Sequence, residues 1–190
     1  MPFAVCVFSS SSDAVAAPFF AAARELGAAL ARRGDTVIYG GAKVGLMGAL
    51  AHAAHDAGGR VIGVIPASIH RRGLSYDGAD ELLVTPDMHA RKQVMAERAN
   101  AFIALPGGWG TLEEMFEVMT LKQLGEHVKP IVWLNIAGFY DPLLRFLAQL
   151  YDARFVKPES AQLYHVASDV ASALAYLDTY RAPAIPSKWA

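Results

Sequence analysis

Residues Leu105–Glu114 read LPGGWGTLEE, where an apolar run ends in a glycine loop that opens into an acidic helical pattern. The run AFIALPGG, residues 101–108, is typical of a buried strand, and TLEEMFEVMTLKQLG, residues 111–125, is typical of a helix that ends at Gly125. A strand, a loop and a helix in succession form the basic unit of an α/β fold. The loop itself has two explanations, a tight turn or a surface for an anion.

The same unit recurs along the chain. Further apolar runs predict strands at residues 3–8, 36–41, 60–66, 81–86 and 129–135, and helical patterns occupy residues 16–34, 46–59, 87–99, 140–155 and 169–180. Strands that are apolar throughout and separated by helices indicate a parallel sheet covered on both faces. The sequence therefore predicts an α/β fold, a Rossmann-like doubly wound parallel sheet, with a single domain over residues 1–180 and a Pro-rich C-terminal tail over residues 181–190.

The composition restricts the class of protein. With 190 residues, 54% of them hydrophobic and 18% charged, the chain is long enough for a layered core and is unlike a disordered sequence. A formal net charge of -1 argues against a nucleic-acid-binding surface, which needs a basic excess. One cysteine, Cys6, gives no disulfide framework, and no stretch resembles a signal peptide or a membrane span. We therefore expect a cytoplasmic protein with no nucleic-acid or membrane partner.

Three loops of small residues are predicted at the carboxyl edge of the sheet, where open α/β sheets bind ligands. They are SSSSD at residues 9–13, GGAKVGLMG at residues 40–48, and PGGWGT at residues 106–111. The third loop carries Gly107, Gly108 and Gly110 before a helix expected to begin near Thr111. Glycines let backbone N–H groups approach a ligand and a helix N-terminus attracts an anion, so this loop predicts a phosphate site.

Charged residues stand beside that loop. Thr111 and Glu114 have the spacing of a capping box, in which the glutamate bonds back to the cap residue, but a carboxylate beside a bound phosphate also requires a compensating cation. The helix at residues 87–99 precedes the fifth strand, so its first turns, with Arg91 and Lys92, are expected at the same edge. These two cations either bind an anion or form a solvated pair.

Other constellations carry less chemistry. His52 and His55 have a spacing of three residues that suits a metal ion, but no third ligand is apparent, and His89 has no defined partner. Neither a catalytic Ser-His-Asp order nor a cysteine metal cluster can be defended from the sequence. The sequence therefore predicts neither a metal nor a redox cofactor.

Taken together, these motifs resemble those of the LONELY GUY family, phosphoribohydrolases that release cytokinin bases from riboside 5′-monophosphates. The resemblance rests on MHARK at Met88–Lys92, PGGWGTLEE at Pro106–Glu114, YGGAKVGLMG at Tyr39–Gly48 and GFYDPLL at Gly138–Leu144. It implies a homodimer, with the active site near the subunit interface. Proteins of this group are often labelled lysine decarboxylases, a chemistry that would need pyridoxal phosphate on a Schiff-base lysine, which the sequence does not nominate.

The resemblance assigns catalysis to Arg91 and Glu114. It assigns phosphate and ribose contacts to Gly108–Thr111, and it matches Lys92 and Thr120 to further substrate contacts. The substrate-binding set predicted from loops and resemblance together is Gly41, Met88, Lys92, Gly107, Gly108, Trp109, Gly110, Thr111 and Thr120, of which Met88 and Trp109 are candidates for the base-binding region.

The implied reaction is cleavage of the N-glycosidic bond of N6-modified adenosine 5′-monophosphates, of AMP, or of both. Ser10 and Ala42 stand where the family usually has glycines, which leaves the shape of the pocket and the choice of base open. The alternative is a non-catalytic nucleotide- or cofactor-binding carrier of Rossmann-like fold. A carrier would not need Arg91 and Glu114 together, and their joint presence favours the enzyme.

Overall fold

The centre of the fold is a parallel sheet, seen in a computed structural model that describes residues 3–183. Within those residues the sheet has seven strands in the order β4-β3-β2-β1-β5-β6-β7, and every neighbouring pair is parallel. The strands are β1 Ala4–Phe8, β2 Thr36–Tyr39, β3 Val61–Pro66, β4 Glu81–Thr85, β5 Ala101–Ala104, β6 Ile131–Leu134 and β7 His165–Ala167. The predicted all-parallel sheet is confirmed.

Helices cover both faces of this sheet, as the wholly apolar strands require. They are α1 Ala17–Arg32, α2 Gly45–Asp56, α3 Ala67–His70, α4 Met88–Arg98, α5 Trp109–Leu124, α6 Asp141–Asp152 and α7 Val170–Thr179, with 3-10 turns at Ile136–Gly138 and Pro158–Leu163. The apolar residues of α1, α2 and α7 form one core cluster, and those of α4 and α5, with partly buried leucines of α6, form the other. None of the helices between residues 3 and 183 is long and apolar enough to cross a membrane.

The strand order creates one point where neighbouring loops diverge. The chain builds outward from β1 to β4 and then returns to place β5 on the other side of β1. Phe8 pairs with Ala104 at the carboxyl ends of these two strands. Because a doubly wound sheet binds ligands at such a reversal, the loops after β1 and β5 border the expected site.

The structure differs from the sequence prediction at short elements and at one helix start. The prediction missed β7 and α3, which have three and four residues and therefore carry too little periodicity to be recognised. Helix α5 begins at Trp109 rather than near Thr111. Residues 184–190 of the predicted tail lie outside the described residues, so the domain boundary at residue 180 stays a prediction.

Candidate active site

The N-terminus of α5 forms a loop of exposed backbone at the carboxyl edge of the sheet. Its N-cap is Gly108, and no side chain within residues 3–183 caps the helix. Because the first N–H groups of a helix have no partner within the helix, they remain available to an acceptor, and the helix dipole favours a negative one. The backbone geometry at this terminus is thus compatible with the predicted anion cradle, and its phosphate-binding role stays a prediction.

The three glycines of the cradle occupy their positions for different physical reasons. At Gly107 an added Cβ would overlap the Thr111 side chain, so glycine is required by packing inside the turn. At Gly108 and Gly110 an added Cβ would meet no atom of the described residues within 4 Å. Neither residue has a positive φ angle. Packing within the described residues therefore gives no reason for glycine at these two positions, whereas a bare backbone suits a ligand that rests on it.

The capping-box interpretation of Thr111 and Glu114 is wrong. Thr111 lies inside the first turn of α5 rather than at its cap, and Glu114 makes a different bond. Its Oε1 accepts a hydrogen bond from Arg91 Nη1 at 2.6 Å. The carboxylate is thus directed across to α4.

Arg91 and Glu114 form a buried ion pair beside the cradle. Their side chains are 8% and 7% exposed. Arg91 Nε also donates to the backbone carbonyl of Val64 at 3.0 Å, which fixes the guanidinium over the end of β3. Burying an ion pair contributes little net stability because both charges lose water, so such a pair beside a helix N-terminus without a side-chain cap makes a candidate functional site.

Gly40, at the end of β2, makes room for this pair. An added Cβ there would overlap the Arg91 guanidinium and would lie 2.7 Å from Met47 Sδ. The double glycine of the second loop therefore serves two purposes. Gly40 admits Arg91, and Gly41, with a φ angle of 76°, turns the chain towards the segment after β3.

Burial raises the pKa of the Glu114 carboxyl above its ordinary value, and the attraction of Arg91 offsets part of that rise. A dry carboxylate held against one guanidinium interacts more strongly with a positive charge than a solvated one does.

Of the predicted loops, the second does not offer its helix terminus to a ligand. The N–H groups of Leu46 and Met47, at the start of α2, donate to the carbonyl of Ser10 at 2.9 and 3.3 Å. The N–H of Gly45 donates to Asp13 Oδ1 at 2.8 Å. The first loop thus caps α2, and the terminus of α5 is the open one of the two.

Lys92 lies next to Arg91 but is paired within the chain. Its Nζ bonds Glu113 and lies 3.1 Å from Glu117 Oε2. The side chain is 11% exposed, and Lys92 and Glu114 line the same cavity, of about 710 Å³, between α4 and α5. A substrate contact by Lys92 would compete with these carboxylates.

The remaining predicted residues are spread around the site. Met88 begins α4 and is 42% exposed, while Trp109 is 90% exposed at the mouth of the cradle. Thr120 does not reach this site within the chain, since it lies in a small groove with α6 residues such as Leu147. The resemblance matches Thr120 to a substrate contact, but within one chain the groove of Thr120 is separate from the Arg91–Glu114 pair.

The structure also shows the surroundings of the histidines and of Ala42, to which the sequence assigned no defined role. His52 and His55 are exposed on α2 and pack against the ring of Tyr76, with ring centroids 4.4 and 6.4 Å away. Ala42 is buried in an isolated bridge with Ser75. His89 is exposed and lines the cavity between α4 and α5.

Comparison with known proteins shows which family the chain belongs to. A profile described as "Possible lysine decarboxylase" matches residues 47–177. A cytokinin riboside 5′-monophosphate phosphoribohydrolase of Oryza sativa subsp. japonica is 45% identical over 159 residues, covering 84% of this chain and 66% of that protein. One from Arabidopsis thaliana is 41% identical over 176 residues, covering 93% of this chain and 83% of that protein. The chain belongs to the LONELY GUY family.

A solved structure with the same fold bears a different title. The molybdenum cofactor carrier protein of Chlamydomonas reinhardtii matches with a TM-score of 0.72 at 28% identity, covering 94% of this chain and 97% of that one. Its identity to this chain is well below that of the curated LONELY GUY relatives. The fold is therefore shared between catalytic and carrier proteins, and the site residues must separate them.

Sequence reasoning missed three residues that shape this LONELY GUY site. Gly40 accommodates Arg91, Asp13 closes the α2 terminus, and Glu117 pairs with Lys92. Gly40 lies in a quoted motif, and the spacing of Glu117 from Glu113 puts both on one face of α5. No signal in the sequence distinguishes Asp13 from an ordinary loop aspartate.

Proposed function

We propose that this protein hydrolyses the N-glycosidic bond of nucleoside 5′-monophosphates, releasing the free base and ribose 5-phosphate. The observation that carries the proposal is the buried Arg91–Glu114 pair beside the uncapped N-terminus of α5. The curated relatives support the same reaction through their names. A carrier has use for the cradle but not for a desolvated carboxylate beside it.

The cradle at Gly108–Thr111 holds the 5′-phosphate. Backbone N–H groups and the helix dipole bind the phosphate oxygens without a metal ion or a redox cofactor. This contact lies away from the bond that breaks, and its binding energy fixes the ribose against the catalytic pair. Nucleosides without the phosphate are therefore poor substrates.

Glu114 acts on the sugar. As the bond from C1′ to the base nitrogen breaks, positive charge develops on the ribose, and the carboxylate of Glu114 stabilises that charge. The same oxygen atoms orient and deprotonate the water that adds to C1′. The base leaves with the bonding electron pair and takes up a proton. Arg91 keeps Glu114 ionised and in place.

The base lies on the open side of the pair. Trp109 and Met88, at the starts of α5 and α4, offer exposed apolar surface, and Glu114 lines the cavity between these two helices. The curated relatives are named as phosphoribohydrolases of cytokinin riboside 5′-monophosphates. We therefore propose N6-modified adenosine monophosphates as substrates, with AMP as a further one.

We further propose that the active form is a cytoplasmic homodimer. Thr120 is exposed and lies in a groove with Phe116 and Leu147, and Phe116 and the chain neighbour of Leu147, Phe146, are 36% and 54% exposed. A second copy packed on this face would cover the aromatic rings. The site would then lie near the interface, as the family resemblance implies.

The experiment that tests the reaction measures whether the molar amount of product exceeds the molar amount of protein. Purified protein is incubated with a large molar excess of N6-isopentenyl-AMP, and free base and ribose 5-phosphate are quantified over time. Equal amounts of both products, well above the amount of protein, support the enzyme. Nucleotide that stays intact and bound at one equivalent per chain would instead support the carrier.

A further inference from the structure

The segment Gly138–Leu144, GFYDPLL, shares in the family resemblance, yet the proposed reaction uses none of its residues. It runs from the connection after β6 into the first turn of α6, beside the strand that carries the cradle. Tyr140 within it is 1% exposed. Its hydroxyl donates to the backbone carbonyl of Leu105 at 2.7 Å. Leu105 is the first residue after β5, so this bond ends at the root of the cradle.

Tyr140 is in turn held from several directions. Its N–H donates to Asn135 Oδ1 at 2.7 Å, and Asn135 Nδ2 donates to Asp141 Oδ1 at 2.7 Å. The ring packs edge-on against Trp133, with centroids 4.7 Å apart. These contacts leave the hydroxyl little freedom, so its position is fixed by β6 rather than by the loop it contacts.

The loop that presents Tyr140 is itself sharply bent. Ala137 and Gly138 have φ angles of 53° and 70°, and a Cβ at Gly138 would lie 2.7 Å from Asp141 Oδ2. A left-handed alanine is unfavourable and persists where surrounding contacts determine it. This strained turn places the Tyr140 hydroxyl against the backbone carbonyl of Leu105.

We propose that Tyr140 is a positioning residue for the phosphate cradle, acting through the Leu105 carbonyl. The bond sets the direction in which the chain leaves β5, and Pro106 and Gly107 transmit that direction to the N–H groups of Gly108–Thr111. Burial raises the pKa of the Tyr140 hydroxyl, with the backbone of Gly107 opposing the shift, so the group stays a neutral donor beside the loop. The inference rests on the proposed function, because it concerns the phosphate site of that reaction.

The test compares Tyr140→Phe with Tyr180→Phe. Tyr180 is a matched control, since its hydroxyl also donates to a backbone carbonyl, that of Val128 at 2.8 Å, but Val128 precedes β6 and so lies at the amino edge of the sheet, opposite the cradle. For Tyr140→Phe we expect KM for N6-isopentenyl-AMP to rise about tenfold, with kcat within about threefold, because cradle geometry governs phosphate binding. Inhibition by inorganic phosphate weakens by the same factor. Tyr180→Phe leaves both constants unchanged.

A binding measurement separates this inference from the reaction. Calorimetric titration with AMP, on Glu114→Gln protein with and without Tyr140→Phe, reports the cradle whether or not the protein turns nucleotide over. About tenfold weaker AMP binding in the double variant supports the positioning role. Equal AMP affinity, or a Tyr140→Phe enzyme that loses thermal stability with unchanged KM and phosphate inhibition, would overturn it and leave Tyr140 as packing alone.

Discussion

Glu114 and Glu113 are adjacent in the chain, but their side chains are 7% and 55% exposed. Glu114 points inward to Arg91, while Glu113 points outward to Lys92. The sequence placed both near a helix start and identified a partner for Glu114 from topology alone. It could not reveal the depth of burial, because burial depends on how α4 and α5 pack on the sheet.

Replacing Glu114 with Gln tests the role of its charge while keeping its shape. We expect kcat to fall at least about a hundredfold, because the carboxylate stabilises the positive sugar and activates water. Glu113→Gln serves as the matched control, with kcat within about threefold. Steady-state kinetics and thermal unfolding are measured on both variants. Full activity of Glu114→Gln with a lower melting temperature would assign the pair a structural role only.

The pH dependence tests the interaction between the two partners. Because burial raises the pKa of Glu114, we expect kcat/KM to rise with pH along an acidic limb above the usual range for glutamate. Arg91 lowers that pKa, so Arg91→Gln removes a stabilising cation and moves the limb to higher pH. The measurement is the pH profile of kcat/KM for both proteins. A limb at the same pH in both would remove Arg91 from the ionisation of Glu114.

At the scale of elements, the cradle depends on where α5 begins. The sequence predicted a start near Thr111 because T-x-x-E is a frequent cap signature, but the chain places the cap at Gly108. Two more residues therefore join the helix, and the bare backbone becomes its first turn. The strands and the pairing of α4 with this edge followed from apolar runs and connection rules, whereas the cap depended on the packing of Thr111 against Gly107.

Alanine substitutions at two glycines separate the causes of the cradle. Gly110→Ala meets open space inside a helix, so we expect the free energy of unfolding to rise by up to about 1 kcal/mol. The added methyl group faces the ligand, and KM for the nucleotide is expected to rise at least about tenfold. Gly107→Ala overlaps Thr111 and is expected to destabilise the fold by about 1–3 kcal/mol. A more stable Gly110→Ala protein with unchanged KM would show that nothing rests on this backbone.

At the scale of the whole molecule, the fold class followed from the sequence because wholly apolar strands alternate with helices. The prediction lacked β7, an edge strand of three residues that lies beside β6 and not next to β1 or β5. The site was predicted as three converging loops. In the structure the loops have different roles. The first loop caps the N-terminus of α2, whereas the N-terminus of α5 has no side-chain cap among the described residues. Which loop caps which helix is a tertiary contact that local patterns do not encode.

The assembly is a prediction at this scale. We expect a homodimer in solution, because the exposed ring of Phe116 lines the same groove as Thr120, and Phe146, the chain neighbour of Leu147 in that groove, is also exposed. Light scattering coupled to size-exclusion chromatography measures the mass, against 20.4 kDa for one chain. Phe146→Glu is expected to shift the protein towards the monomer and to reduce activity. A fully active monomer would contradict an active site near a subunit interface.

The central claim is that a phosphate held on α5 presents a ribose to Glu114. The most direct test incubates the protein with N6-isopentenyl-AMP, AMP and unphosphorylated N6-isopentenyladenosine in parallel and measures free base by chromatography. We predict base release from the two monophosphates, faster from the N6-modified one, and at least about a hundredfold less from the nucleoside. Equal release from the nucleoside would contradict the phosphate cradle, and no release from any of the three would contradict the hydrolase.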